Sequence, residues 1–348
     1  MTTSTSAQPF SVPEGCEATA PAERRGLARD GVRLLVAEPD RLRHLVFRDL
    51  PDVLGPGDLL VVNTSGTVPA ASRGTVNGGW TAPVHVAAGL DDGSWVVEVR
   101  LPDGTGPDLS RRPGDVLDLA GGVRLVLDAA YPDPGRAPSR LWRTCPHPEQ
   151  DRVAYLSRYG APIGYSYLRS PLPLDAFQTV YAGAPGSAEM VSAGRPFTDR
   201  LLTRLVSAAV TVAPLTLHAG VSSPDRHEPP APEPYVVPPD TARLVNSAHR
   251  AGRRVIAVGT TVARALETVA DATGEVVAGQ GWTDLVLDAA RPARAVDGLI
   301  TGLHEPQASH LLLLESVAGT ALVRAAYDAA VEQRYLWHEF GDTMLFLP

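Results

Sequence analysis

The 348-residue chain contains no lysine: its 31 basic residues are all arginine, set against 39 Asp and Glu, for a net charge of −8. Without a lysine amine there is no Schiff-base chemistry and no ammonium to tune into a general base. The acidic balance gives no overall electrostatic attraction to nucleic acid, although a local Arg cluster can still act on an acidic protein. Cysteine is nearly missing. Cys16 and Cys145 are too few for a disulfide framework or a Cys-rich zinc site and read as reduced cytosolic thiols. Long apolar runs are absent too. The longest near the end, residues 311–314, is far too short to span a bilayer. The N-terminal MTTSTSAQPF lacks a basic region followed by an apolar core, so no signal peptide and a cytoplasmic protein are expected. No Walker loop, GxGxxG, HExxH or GxSxG occurs. Asp225-Arg226-His227-Glu228 has metal-ligand residue types, but flanking prolines mark it as a loop and no metal is expected.

What remains is ordinary globular material, 44% hydrophobic and 20% charged. Residues 1–30, rich in Ser, Thr, Pro, Ala and Glu, read as a loosely structured lead-in. Residues 33–37 and 44–50 read as short extended or turn segments. Gly55-Pro56-Gly57-Asp58 is a turn before a buried strand at 59–62. From 72 to 155 the texture changes: short alternating segments are broken by Asp-Gly, Pro-Gly and Gly-Gly turns. Strands at that spacing predict a small β-barrel, inserted as residues 72–155 into an α/β main domain made of 1–71 and 156–348. Within the main domain, helices are predicted at 201–209 after the cap Thr198-Asp199, at 241–251, at 260–272 and at 318–333. Strands are predicted at 210–218, 254–258 and 344–347. The Pro-rich stretch 222–239 reads as an extended loop.

Four segments could carry chemistry. In RRVIAVGTTVARALE, residues 253–267, a strand runs into Gly259 and a helix opens at Thr260-Thr261, where free backbone N–H groups suit an anion or carboxylate. Thr260, Arg264 and Glu267 share one helix face by spacing. The plainer reading is a strand–helix turn with a surface Arg–Glu pair. His304 lies in a Gly/Pro-punctuated loop before a probable helix, and His218 ends a strand. Imidazole suits proton transfer near neutral pH, but each also reads as a solvated or satisfied rim histidine. Gly341-Asp342 marks a turn before the last strand.

Taken in order, these segments resemble the S-adenosylmethionine:tRNA ribosyltransferase-isomerases of queuosine biosynthesis (the QueA family). The resemblance runs through His44, Phe47, Asp49-Leu50, Pro56-Gly57-Asp58, Asn63, Val68-Pro69-Ala70, Gln178-Thr179-Val180-Tyr181, Ala193-Gly194 and Phe197. It continues through Thr216-Leu217-His218, Gly220, the stretch 254–261, Arg264, Glu267, Asp297, Thr301, His304, Pro306, Gly341-Asp342 and Met344. It implies an α/β main domain with an inserted β-barrel. It also implies S-adenosylmethionine used as a ribosyl donor toward a 7-aminomethyl-7-deazaguanine base in tRNA, with loss of adenine and methionine and no metal. On this resemblance His218, His304 and Asp342 are the catalytic candidates. Asn63, Gln178, Tyr181, Gly259, Thr260, Thr261, Arg264, Glu267 and Thr301 are the candidates for holding S-adenosylmethionine.

Several loops depart from the family pattern. Pro196 stands where the family carries a His, Gly66 where it carries an Arg, and Glu339-Phe340 where it carries Ser-Tyr. Glu233 is aligned with a family Glu. Gained acids such as Glu305 and Glu339 weaken a polyanion grip, while Arg195 is a gained cation. Two further functions stay open on sequence alone: a small-molecule acceptor in place of tRNA, and a non-catalytic S-adenosylmethionine- or RNA-binding protein. No membrane partner is expected, and a monomer is taken as the oligomeric state.

Overall fold

The computed structural model describes residues 10–222, 228–306, 308 and 310–348. The elements are β1 (Arg33–Glu38), β2 (Arg41–Val46), β3 (Leu59–Asn63), β4 (Ser65–Thr67), β5 (Ala71–Val76), β6 (Trp80–Gly89), β7 (Trp95–Val99), β8 (Val116–Leu119), β9 (Arg124–Ala130) and β10 (Leu141–His147). Then follow α1 (Arg152–Tyr159), β11 (Ala184–Ser187), α2 (Asp199–Ser207), β12 (Thr211–Leu217), β13 (Glu233–Val237), α3 (Pro239–Arg250), β14 (Val255–Val258) and α4 (Thr260–Val269). The chain ends with β15 (Gly279–Thr283), β16 (Gly298–Gly302), α5 (His310–Ala318), α6 (Thr320–Glu332) and β17 (Thr343–Phe346).

Among the described residues nine strands form one sheet in the order β15-β13-β12-β3-β14-β16-β17-β1-β2. Its centre, β12-β3-β14-β16, is parallel throughout. That explains the continuous apolar runs read from the sequence, since a parallel sheet is covered on both faces. Alternate residues of β3 go to opposite cores. Leu59 and Val61 join the cluster packed under α3, α4 and α6, and Leu60 and Val62 join the one shared with Phe47 and Phe197. Each fully buried side chain of this size contributes about 1.5–3 kcal/mol relative to exposure.

The stretch from β5 to β10 closes into a six-stranded barrel, β10-β7-β6-β5-β8-β9. Helix α1 packs on it: the Tyr155 ring lies 5.3 Å from Trp95, and Tyr155, Leu156 and Ile163 belong to the barrel's apolar interior. The barrel is thus carried between β4 and β11, which pair with each other in parallel as a separate two-stranded sheet.

Two expectations need correction. The stretch 222–239 is not all loop, because residues 233–237 form β13 between β12 and β15. Pro234 is tolerated because it sits just past the β12 ladder, where it only accepts, its carbonyl taking the His218 N–H at 3.0 Å. Residues 10–30 are not loose. Cys16, Ala18 and Ala22 are fully buried, and Phe10 packs against Tyr327 and Trp337. Small buried residues leave no hydrophobic period, so composition alone misleads there. Residues 1–9 and Asp225, Arg226 and His227 lie outside the described residues. Among the described residues, no helix is long and apolar enough to cross a membrane.

Candidate functional site at the carboxyl edge of the sheet

The carboxyl ends of the four parallel strands meet along one edge. In an open α/β sheet that edge is where ligands bind. β17 runs antiparallel to β16 with Thr343 opposite Gly302, so Asp342 reaches the same edge from the other direction. β1 is parallel to β17 and brings Arg33 beside it. The fold therefore gathers Asn63, His218, Gly259, Thr260, Thr261, Thr301, His304 and Asp342 from five strand ends.

At the centre, β14 turns through Gly259, whose φ of 97° is a left-handed value that favours glycine. A Cβ there would also press on Ala193 at 3.4 Å. The Gly259 N–H donates to Ile300 O at 2.8 Å, and α4 then opens at Thr260 with no capping side chain among the described residues. Its first N–H groups and the positive end of its dipole are thus left for an anion. Asn63 ties this point to its neighbours: its amide donates to Leu217 O (2.8 Å) and to Thr261 Oγ1 (3.2 Å), and its carbonyl accepts from Leu217 and Ser65 N–H.

On one side, His218 Nδ1 lies 2.7 Å from Ser65 Oγ, which lies 2.6 Å from Ser187 Oγ. Burial and the Arg152 guanidinium pull His218 down to about 4, so it is neutral at physiological pH. Ser65 and Ser187 were not singled out from sequence. A hydroxyl 122 residues from its partner leaves no local signal. On the other side, Thr301 Oγ1 lies 2.8 Å from His304 Nε2, and the His304 N–H donates to the Tyr327 hydroxyl at 3.1 Å. The His304 ring stacks on His310 at 4.6 Å. Burial, then the neighbouring imidazole, holds His304 well below its usual value, while burial and Arg264 pull His310 down to about 4.

Arg264 and Glu267 are not the surface pair that spacing allowed. Arg264 is 7% exposed; it forms an ion pair with Glu233 and donates to the carbonyls of Leu285 and Thr283. Glu233 also accepts the Gly220 N–H at 2.8 Å, which anchors the loop after His218. Glu267 accepts the Arg294 and Ala295 N–H groups, each at 2.8 Å. Asp342 accepts from the Arg33 N–H and side chain and from the Leu336 N–H. Gln178 clamps the Thr67 backbone from both sides, and the Tyr181 hydroxyl is buried without a partner among the described residues, its ring edge-on to Phe197. Arg264, Asp342 and Gln178 are thus committed to neighbouring segments of this edge, and Glu267 to the segment ahead of the amino end of β16.

Beyond Asp342 the edge continues as a narrow cleft lined by Arg29, Ser192, Arg195, Gly302, Glu339 and Thr343, among others. Arg195, a gained cation by sequence, is 4% exposed and forked onto Glu23. Glu339 is not a surface acid; burial pushes its carboxyl up to about 7. Among the described residues no three His, Cys, Asp or Glu side chains are grouped to hold a metal ion.

A model of the family described as queuosine biosynthesis protein matches residues 5–346. A relative named S-adenosylmethionine:tRNA ribosyltransferase-isomerase, from Symbiobacterium thermophilum, is 35% identical over 92% of this chain and 94% of its own. Relatives of the same name from Thermus thermophilus and Moorella thermoacetica are both 36% identical, over 92% and 97% of this chain and 93% and 98% of theirs. The crystal structure of an S-adenosylmethionine tRNA ribosyltransferase from Thermotoga maritima shares 28% identity over 97% of this chain and 99% of its own, with a TM-score of 0.53. Sequence and fold agree along nearly the whole length, and the chain belongs to the queuosine biosynthesis protein family.

Proposed function

We propose that this chain is an S-adenosylmethionine:tRNA ribosyltransferase-isomerase. It moves the ribosyl group of S-adenosylmethionine onto the aminomethyl group of a 7-deazaguanine base in tRNA, isomerises it, and releases adenine and methionine. The observation that carries this reading is the set of relatives of that name, 35–36% identical over more than nine-tenths of both chains.

The site supports the reading. The uncapped start of α4 at Gly259, Thr260 and Thr261 suits the methionyl carboxylate. Asn63 and Thr301 stand beside it, and Arg264, Glu233, Gln178 and Asp342 hold surrounding segments. The sulfonium acidifies the adjacent C–H, so a base is needed there. Adenine leaves more readily when its ring is protonated, so an acid is needed as well. His218 and His304 are the imidazoles at this edge. With both rings held neutral, neither imidazole adds a charge to this edge. The reaction needs no metal and is placed in the cytoplasm, with the enzyme as a monomer.

The test uses S-adenosylmethionine carrying labelled ribose, with and without tRNA bearing the 7-aminomethyl-7-deazaguanine base. Label recovered in that tRNA supports the proposal. Label or adenine released equally without RNA points to a small-molecule acceptor or simple cleavage. No consumption under any condition points to a binding protein.

A further inference from the structure

We infer that Ser187 and Ser65 form a directed hydroxyl relay that fixes His218 as the neutral tautomer with its proton on Nε2. His218 then meets the ligand as a hydrogen-bond donor to an oxygen and does not act as the base. This rests on the proposed reaction only for the identity of that ligand, S-adenosylmethionine.

The direction follows from hydrogen-bond accounting. The Ala219 N–H can only donate, and it donates to Ser187 Oγ at 2.9 Å. Ser187 is 0% exposed and Ser65 1% exposed, so neither hydroxyl proton turns to water. The acceptor available to the Ser187 proton is Ser65 Oγ, 2.6 Å away; the Ser65 proton then goes to His218 Nδ1, 2.7 Å away. If the chain ran the other way, with Nδ1–H donating to Ser65 and Ser65 to Ser187, Ser187 would accept twice. Its own proton would then lack an acceptor among the described residues. A buried donor left without an acceptor forfeits its hydration with no return, which sets the direction.

Two further features hold the ring in place. Gly186 lies flat against it, and a Cβ at that position would overlap the imidazole. Arg152 donates to the carbonyls of Gly186 and Val86 beside it, so a fixed positive charge opposes protonation of the ring. The low value of about 4 that burial and Arg152 impose agrees with a neutral ring. With Nδ1 occupied as an acceptor, the exposed nitrogen carries N–H. That atom stabilises oxygen; it does not remove a proton from carbon. Ser65 and Ser187 are positioning residues, and proton abstraction falls to a different group.

The experiment is a long-range ¹H–¹⁵N imidazole spectrum of the full-length ¹⁵N-labelled protein at pH 7, with His218 assigned by the signals lost in H218Q. The expected pattern is neutral with Nε2 protonated. S65A should shift His218 toward the other tautomer and lower kcat roughly 10- to 100-fold with little change in KM, as losing an oriented donor does. S65T, which keeps a hydroxyl, should restore both readouts. A pattern with Nδ1 protonated, an imidazolium at pH 7, or an unchanged tautomer in S65A overturns the relay. The spectrum does not require turnover, so a wild-type protein that fails to consume S-adenosylmethionine would refute the reaction while leaving the tautomer result to stand or fall by itself.

Discussion

Replacing Glu339 by Gln should stabilise the protein at alkaline pH and leave it nearly unchanged at acidic pH. Glu339 lines the cleft at the end of the sheet edge, its Oε2 is buried without a partner among the described residues, and the preceding His338 is held at a φ of 72°. Burial pushes the carboxyl from 4.5 up to about 7. Across that interval the folded chain keeps a proton that the unfolded chain has given up. Stability is therefore lost as pH rises from about 4.5, and the loss is complete above about 7. At 1.36 kcal/mol per pH unit the loss amounts to about 3 kcal/mol. With an unfolding entropy of about 2.1 cal/mol/K per residue, that corresponds to about 4 °C in a chain of this length. Glu339→Gln should thus melt about 4 °C above the natural protein at pH 8.5 and within about 1 °C of it at pH 5. Differential scanning calorimetry at the two pH values reads this directly. Any change in packing is common to both, so the difference between them isolates the charge. Equal shifts at both values, or destabilisation at pH 8.5, would refute the reasoning.

Other consequences follow from the site. Arg264→Met leaves the partly buried Glu233 with only the Gly220 N–H and should cost about 2–3 kcal/mol in urea denaturation. Adding Glu233→Gln to it should recover part of that loss, and full additivity of the two would contradict the pairing. Gly186→Ala forces a methyl group into the His218 ring. It should lower S-adenosylmethionine turnover more than tenfold while the circular dichroism spectrum stays unchanged. Because His218 and His310 sit at about 4, turnover by the Glu339→Gln variant should be flat from pH 6 to pH 8.5. A decline below pH 7 with a midpoint near 6.5 would show an ordinary histidine at work.

The sheet centre was legible because its strands are buried on both faces and leave runs such as the one at 59–62, and because Gly259 marks the strand-to-helix turn. The barrel was legible from its turn spacing. β13 was hidden by Pro232 and Pro234, which local rules assign to loop. Only the tertiary pairing, with one short flank against β12, shows why they are tolerated. Of the candidate residues, those at strand ends converge on one edge. Arg264 and Asp342 also lie near it, but they are spent on Glu233 and on Arg33, while Glu267 is spent on two backbone N–H groups ahead of the amino end of β16. Spacing puts a side chain on a face; it does not tell what the side chain will hold. Ser65 and Ser187 escaped notice for the converse reason, since a single hydroxyl gains meaning only from a partner that the fold brings to it.

The proposed reaction is tested most directly by digesting tRNA to nucleosides after incubation with the enzyme and S-adenosylmethionine and weighing the wobble base by mass spectrometry. The 7-aminomethyl-7-deazaguanine nucleoside should disappear into a product heavier by one rearranged ribosyl unit, with adenine and methionine released in equal amounts. An unchanged wobble nucleoside in the presence of consumed S-adenosylmethionine would contradict it.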